Sequence, residues 1–288
     1  MNKILSTVYN LINIELKTED ILKRLKYSML FLTFVSFLMI KSSITNAYKL
    51  MLPINIWDGI FTIITQPFFI LLIYLPVFLI ATSILLSRDN FSKYLIIRCS
   101  DKKIWILSRV LCQLIINLLF TFVLFLLIAL LSGINLKFGT DWSQVIKDSQ
   151  SISIINTKLY PNNFVHVMTP YSALMYCFWG IFLAVSITTL LRDLFMELVP
   201  NLILANTLTI LYLAINYVLL IFPQINLFGK IFACFSLYNV ALIWWHRFDT
   251  LAAGPFSLNT GLLCGLTFVV FIISFRLLLS KRMVFDYD

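Results

Sequence analysis

The sequence predicts an all-α integral membrane protein: six transmembrane helices, an N-terminal amphipathic interfacial helix, and a re-entrant external segment before the last span. Three observations carry this. Only 12% of the 288 residues are charged and the mean hydropathy is +0.94, whereas soluble globular chains carry about 25% charge. The apolar residues gather into runs near the ~20 residues that cross a bilayer core. Those runs lack the alternation of a membrane β-barrel, so their backbone polar groups must be satisfied within helices.

Residues 1–26 lack the continuous apolar stretch and cleavage site of a signal peptide. Ile4, Val8, Leu11, Ile12 and Leu16, then Ile21, Leu22 and Leu25, recur at helical spacing among charges. That is the pattern of a helix lying along a membrane face. Thr18 followed by Glu19 and Asp20 reads as a cap with acids in the first turn. The rest, 27–288, forms the transmembrane domain, with spans expected at 27–40, 60–86, 104–131, 171–191, 201–222 and 259–279. Pro67 and Pro76 fall inside the second span and remove backbone donors, which predicts a kink. Leu227–Trp245 is a further apolar stretch. Read as a span it gives seven helices. Lys230, Asn239 and the Trp244-Trp245-His246-Arg247 cluster instead suit a headgroup position, so a re-entrant segment within 223–257 is favoured.

Lys and Arg set the orientation. Fifteen of the 22 basic residues fall in 1–26, 87–109, 191–200 and 276–288, and seven in the longer stretches 41–59, 132–169 and 223–257. Both termini are therefore expected in the cytoplasm, with the 132–169 loop outside.

Several function classes find no support. Cys99, Cys112, Cys177, Cys234 and Cys264 are scattered without CxxC spacing, and His166 and His246 have no ligand partners at useful spacing. Neither disulfides nor a metal site are expected. No ionisable residue sits mid-span, because Arg109 and Arg276 lie close enough to a boundary to snorkel. That argues against an ion-driven carrier, which needs intramembrane acids or bases along its path. No protease or esterase motif marks an enzyme, and no G-x-x-x-x-G-K-[ST] marks a nucleotide site.

What is polar within the spans is neutral. Thr62, Thr65 and Gln66 share a face of the second span, and Asn206, Thr209 and Asn216 a face of the fifth. Both sets read as the lining of a substrate pathway. Gln113, Asn117 and Thr121 recur at i, i+4, i+8 in the third, equally suited to a lining or to interhelical hydrogen bonds. Gly261 and Gly265 make a GxxxG in the last span, a site of close helix approach within the subunit or between subunits.

The connection 87–103 is the most informative stretch. Six cations (Arg88, Lys93, Arg98, Lys102, Lys103, Arg109) crowd 87–109, and Phe91, Tyr94 and Leu95 interleave with Lys93 and Arg98. A topogenic charge cluster needs no such apolar order, so a docking element for a cytosolic partner is expected. Ser100-Asp101 then caps the third span.

Six spans, an amphipathic leader and this charged loop resemble the ABC-2 type permeases of ATP-binding cassette exporters. The string YLIIRCSDKKIWILSRVL, Tyr94–Leu111, looks like that family's first cytoplasmic loop entering its third span. LRDLFMELVP, 191–200, sits at its second cytoplasmic contact, and 223–257 at its external re-entrant segment. The 38-residue external loop 132–169 is longer than many members have. The resemblance implies that residues 88–101 form a coupling helix seated on a separate ATPase subunit, which holds the ATP and Mg that this chain does not. Phe91, Lys93, Tyr94, Leu95, Arg98, Asp101, Arg192 and Glu197 would be the coupling residues. It further implies a dimer with itself or a sister permease, in a bacterial cytoplasmic membrane. The neutral, aromatic-rich spans suit a hydrophobic or amphipathic cargo: an antimicrobial or cytolytic peptide first, a drug or lipid next. The rival reading is an accessory or sensor protein that recruits a soluble partner and transports nothing.

Overall fold

The computed structural model of the chain describes residues 6, 9–10, 19–49, 51, 53–83, 102–147, 163–220, 227–248 and 255–279. Among these residues there is no strand. Five helices are long and apolar enough to cross a membrane: 23–49, 103–134, 170–198, 202–219 and 258–279. A sixth crossing is made if the bent pair 56–64 and 68–81 is one span. The helical class thus agrees with expectation, and the six expected spans are reached only with the bent pair counted as one.

The first helix, α1, is described over Glu19–Lys49 and runs unbroken past residue 26. Residues 19–26 are therefore continuous with the long helix; the rest of the expected leader, apart from residues 6, 9 and 10, lies outside the described residues. Helix α2 (Ile56–Ile64) starts at a capping box, with the Asn55 side chain accepting from Trp57 N and Asp58 returning a bond to Asn55 N at 2.6 Å. It stops at Thr65-Gln66. Pro67 has no N–H for the Ile63 carbonyl, and Gln66 N supplies it instead at 3.1 Å. A π-helical stretch, Phe68–Tyr74, follows and passes into α3 (Leu75–Ala81), where Pro76 occupies the first turn. The two halves bend by 59°, so the prolines do mark the kink, and the wide turns between them absorb it.

Helices α4 (Lys102–Asn135), α6 (Pro170–Leu198), α7 (Leu202–Leu219) and α10 (Leu258–Leu279) complete the bundle, with the short α5 (Gln144–Lys147) between α4 and α6. Helix α6 is central: 61% of its most apolar window is buried, against 17–33% for the other four. Ala173, Cys177, Gly180 and Ala184 run along it at spacings of three or four, so α4, α7 and α10 pack closely around it. Between helices in lipid such shape fit replaces hydrophobic burial as the main attraction. The outward faces are apolar, as at Phe122, Leu126, Ile203, Leu211, Leu263 and Phe271.

Helix α6 also runs seven residues beyond the expected end at 191, through Arg192, Asp193 and Glu197. The expected loop 191–200 shrinks to Val199-Pro200, since Asn201 already caps α7 by accepting from Ile203 N and Leu204 N. The stretch 227–245 is not one helix. Helix α8 (Leu227–Cys234) and helix α9 (Tyr238–Ala241) are separated by a turn, and a 3-10 turn at Ile243–Trp245 ends the segment. Leu237, Tyr238, Asn239 and Leu242 are wholly buried, so the segment is packed among the helices and does not span as a seventh.

At the end of the bundle where α2 and α6 begin, the described parts of the 132–169 loop are fastened by side-chain bonds. Trp57 Nε1 donates to Gly139 O at 2.7 Å, Asn55 Nδ2 to Asp141 O at 2.9 Å, and Trp142 Nε1 to Met168 O at 2.6 Å. Ser143 Oγ donates to Asp58 Oδ1 at 2.7 Å, and Phe61, Trp142 and Phe164 pack ring on ring.

Candidate functional site

Charge is buried at the other end, where α3, α6 and α10 finish. Arg192, Asp193 and Glu197 lie on the last two turns of α6 and Arg276 on the last turns of α10. Arg192 is 0% exposed. It donates through Nε and Nη2 to Asp193 Oδ1, at 3.3 and 3.0 Å, and through Nη1 to Leu79 O at 3.0 Å and Thr82 Oγ1 at 2.9 Å. Arg276 donates to Asp193 Oδ2 at 3.4 Å and, from Nε and Nη2, to Glu197 Oε1 at 2.9 and 2.7 Å. Asp193 and Glu197 are i, i+4 neighbours and so meet the same arginine. Two cations and two anions alternate in a chain, which is the arrangement that buried charge requires.

This network was missed by the sequence reading. Arg276 does not snorkel; it is buried and paired across two helices. Taking 191–200 as a loop hid the signal, which is the spacing Arg192-Asp193…Glu197 continuing the face of α6. Of the expected coupling residues, Phe91, Lys93, Tyr94, Leu95, Arg98 and Asp101 lie outside the described residues. Arg192 presents no surface to a partner, and the Glu197 side chain is only 10% exposed. Arg192 instead ties α6 to Leu79 and Thr82 at the end of the second span, and Glu197 ties it to Arg276 of α10.

The expected pathway residues sit as follows. The second and fifth spans do pack together, α7 against the π-helical stretch and α3. The hydroxyls of Thr62, Thr65 and Thr209 donate within their own helices, to Asp58 O, Phe61 O and Ala205 O. Asn216 donates to Tyr212 O at 2.9 Å and accepts Leu237 N at 2.7 Å, so it caps the entry to α9. Gln66 is half-buried at the break, and Asn206 Oδ1 is buried without a hydrogen bond. In the third span the hydrogen-bonding role is realised. Gln113 Nε2 donates to Asn117 Oδ1 at 2.8 Å, Asn117 Nδ2 to Ser186 Oγ and Thr189 Oγ1 at 3.3 and 3.0 Å, and Thr121 meets the Tyr74 hydroxyl at 3.2 Å.

The glycines of the last span pack within the chain. A Cβ at Gly261 would fall on the His246 ring and 2.6 Å from Asn239 O, and one at Gly265 would fall 2.9 Å from Val240 Cγ1. A Cβ at Gly180 of α6 would overlap Val240 O. Three glycines on two helices thus floor a slot that receives residues 238–246. Its far side is tied by Trp244 Nε1 to Thr65 O at 2.8 Å, at the break of the second span.

His246, at the end of this segment, is buried against Gly261. Burial pushes its pKa down to about 4, although the Phe256 and Ser257 carbonyls facing the ring favour a proton. Neither ring nitrogen completes a hydrogen bond. The undocked segment, with an ordinary pKa of about 6.5, takes up a proton more readily than the docked one. Docking is therefore fully favoured above about pH 6.5 and weakens as pH falls toward 4, by about 3 kcal/mol in all. Trypsin cleavage at the exposed Arg247, taken relative to cleavage of an unstructured arginine peptide at the same pH, should accelerate over that range in the native protein. In His246→Gln the acceleration should be absent; a rate independent of pH in the native chain contradicts the docking account.

Comparisons with protein-family models, with characterised proteins and with solved structures returned no match to this chain.

Proposed function

We propose that the chain is the permease subunit of a bacterial ABC exporter. It works as a dimer, with itself or a sister permease, and is driven by two separate ATPase subunits that hold ATP and Mg. It lies in the cytoplasmic membrane with both termini inside, and residues 223–257 form an external re-entrant segment. Its cargo is hydrophobic or amphipathic, a membrane-active peptide before a drug or a lipid.

One observation supports this above the others. The Arg192–Asp193–Arg276–Glu197 network binds the last turn of α3, immediately before the basic 87–103 connection, to the ends of α6 and α10. A push delivered to that connection would be passed to two long helices through ionic contacts rather than lost in a slack loop. A connection that served only to hold charge on one side of the membrane would need no such anchor.

The test has two steps: a reading frame with a phosphate-loop motif should adjoin the one for this chain, and its product should co-purify with the chain when the two are co-expressed. Truncating an aromatic anchor commonly costs about 2 kcal/mol or more in an interface, while rim charges cost little. Phe91→Ala and Tyr94→Ala should therefore reduce ATPase recovery, or uncouple hydrolysis from export, more than Lys93→Ala does. Equal recovery for all three, with loss only on charge reversal, sinks the coupling role and leaves the accessory-protein reading.

A further inference from the structure

The segment that fills the glycine slot carries a second point of attachment to α10. Cys234 closes α8, which packs against α10, and neighbours Cys264 on that helix. The surroundings fix this pairing. Phe235 lies edge-on to Phe268 with ring centres 5.2 Å apart, and Val240 rests on Gly265. Cys264 is therefore bracketed by contacts from both sides of the Cys234 turn. Both thiols are free and partly exposed, whereas Cys112 and Cys177 are buried. The sequence spacing of 30 residues concealed the pair, since only the fold of 227–246 back onto α10 brings it together.

We propose that Cys234 and Cys264 form a reversible disulfide latch between the slot-filling segment and the last span, closed by exchange with a low-molecular-weight disulfide. The Cys234 thiolate, which lies outside the spanning helices, attacks one sulfur of the external disulfide and displaces the other half as a thiol. The Cys264 thiol, losing its proton, then attacks the Cys234 sulfur of the mixed disulfide and releases the second thiol. One disulfide is reduced to two thiols and two cysteines are oxidised, so electrons and protons balance. Closure brings the sulfurs to about 2.05 Å and needs side-chain rotation only if the backbones already allow it. In the orientation set by the Lys and Arg distribution this end of α10 faces the outside, where disulfides persist. The latch is independent of what the protein transports.

The experiment uses the full-length protein in native membranes, treated with oxidised glutathione. The chain has five cysteines. After denaturation, a polyethylene-glycol maleimide should add five labels before oxidation and three after, with dithiothreitol restoring five. Intact mass should fall by two hydrogens, and Arg247 should be cleaved more slowly by trypsin. Cys234→Ser should hold at four labels with or without mild oxidation, whereas Cys264→Ser should fall from four to three and gain the mass of one glutathione, because its mixed disulfide has no resolving thiol. Five labels persisting in the native chain after oxidation overturns the proposal. So does, in the native chain, a mass gain equal to glutathione without the loss of two hydrogens or a covalent dimer, and, in either single variant, a drop of two labels.

Discussion

Arg192→Met should destabilise the protein by about 3–5 kcal/mol, the usual cost of removing one member of a buried ion pair. The loss is not the bond energy of Arg192 alone. Asp193, itself buried, would keep only the longer 3.4 Å contact to Arg276, and Leu79 O and Thr82 Oγ1 would each lose a charged donor. Arg192→Lys cannot reproduce a planar fork that reaches α3 and Asp193 together, so it should fall between native and Met. The double variant Arg192→Met, Asp193→Leu removes both charges and leaves the 2.7 Å Arg276–Glu197 pair intact. It should be more stable than Arg192→Met alone, because no uncompensated carboxylate remains in the interior. Thermal unfolding in detergent, followed by fluorescence-detected size exclusion, ranks all three. A double variant no better than the single would show that the arginine acts by packing rather than by charge.

Gly180→Ala should have an effect of similar size from a single added methyl group. Overpacking a filled core costs about 1–3 kcal/mol and more where nothing can give. Here the new Cβ meets the Val240 carbonyl, a backbone atom that cannot rotate away. Gly265→Ala meets only the Val240 side chain, which can turn, so it should be milder; Gly261→Ala meets both the His246 ring and the Asn239 carbonyl and should lie near Gly180→Ala. The expected lesion is local. Residues 238–246 should leave the slot while the bundle persists, seen as faster hydrogen exchange there with unchanged helicity. Uniform unfolding, or equal effects at all three glycines, would contradict the slot.

The helices were legible in the sequence because runs of apolar residues and scattered prolines report directly on backbone needs in lipid. The kink at Pro67 follows from a missing donor. What stayed hidden depends on partners distant in sequence. Arg192 and Glu197 read as coupling residues on a cytoplasmic loop because the counter-charge of Asp193 and Glu197, Arg276, lies 83 and 79 positions later, and charge is tolerated in a span once it is neutralised. Asn216 reads as a pathway residue because a polar side chain on an apolar helix looks the same whether it faces a cavity or caps another element. Gly180 drew no attention, since a single glycine in a helix carries no pattern; only the neighbouring backbone shows why a side chain is excluded.

Helix α6 touches both the ionic network and the slot. Gly180 and Arg192 are 12 residues apart on it, which is about 18 Å of rise along one uninterrupted rod. A displacement at one site would be carried to the other by the stiffness of the helix. The rod thus joins two seats of different chemistry, salt bridges at one and steric fit at the other. Changing salt or charge at the first seat should be felt as looser or tighter seating of residues 238–246 at the second, with no messenger between them except the stiffness of the helix.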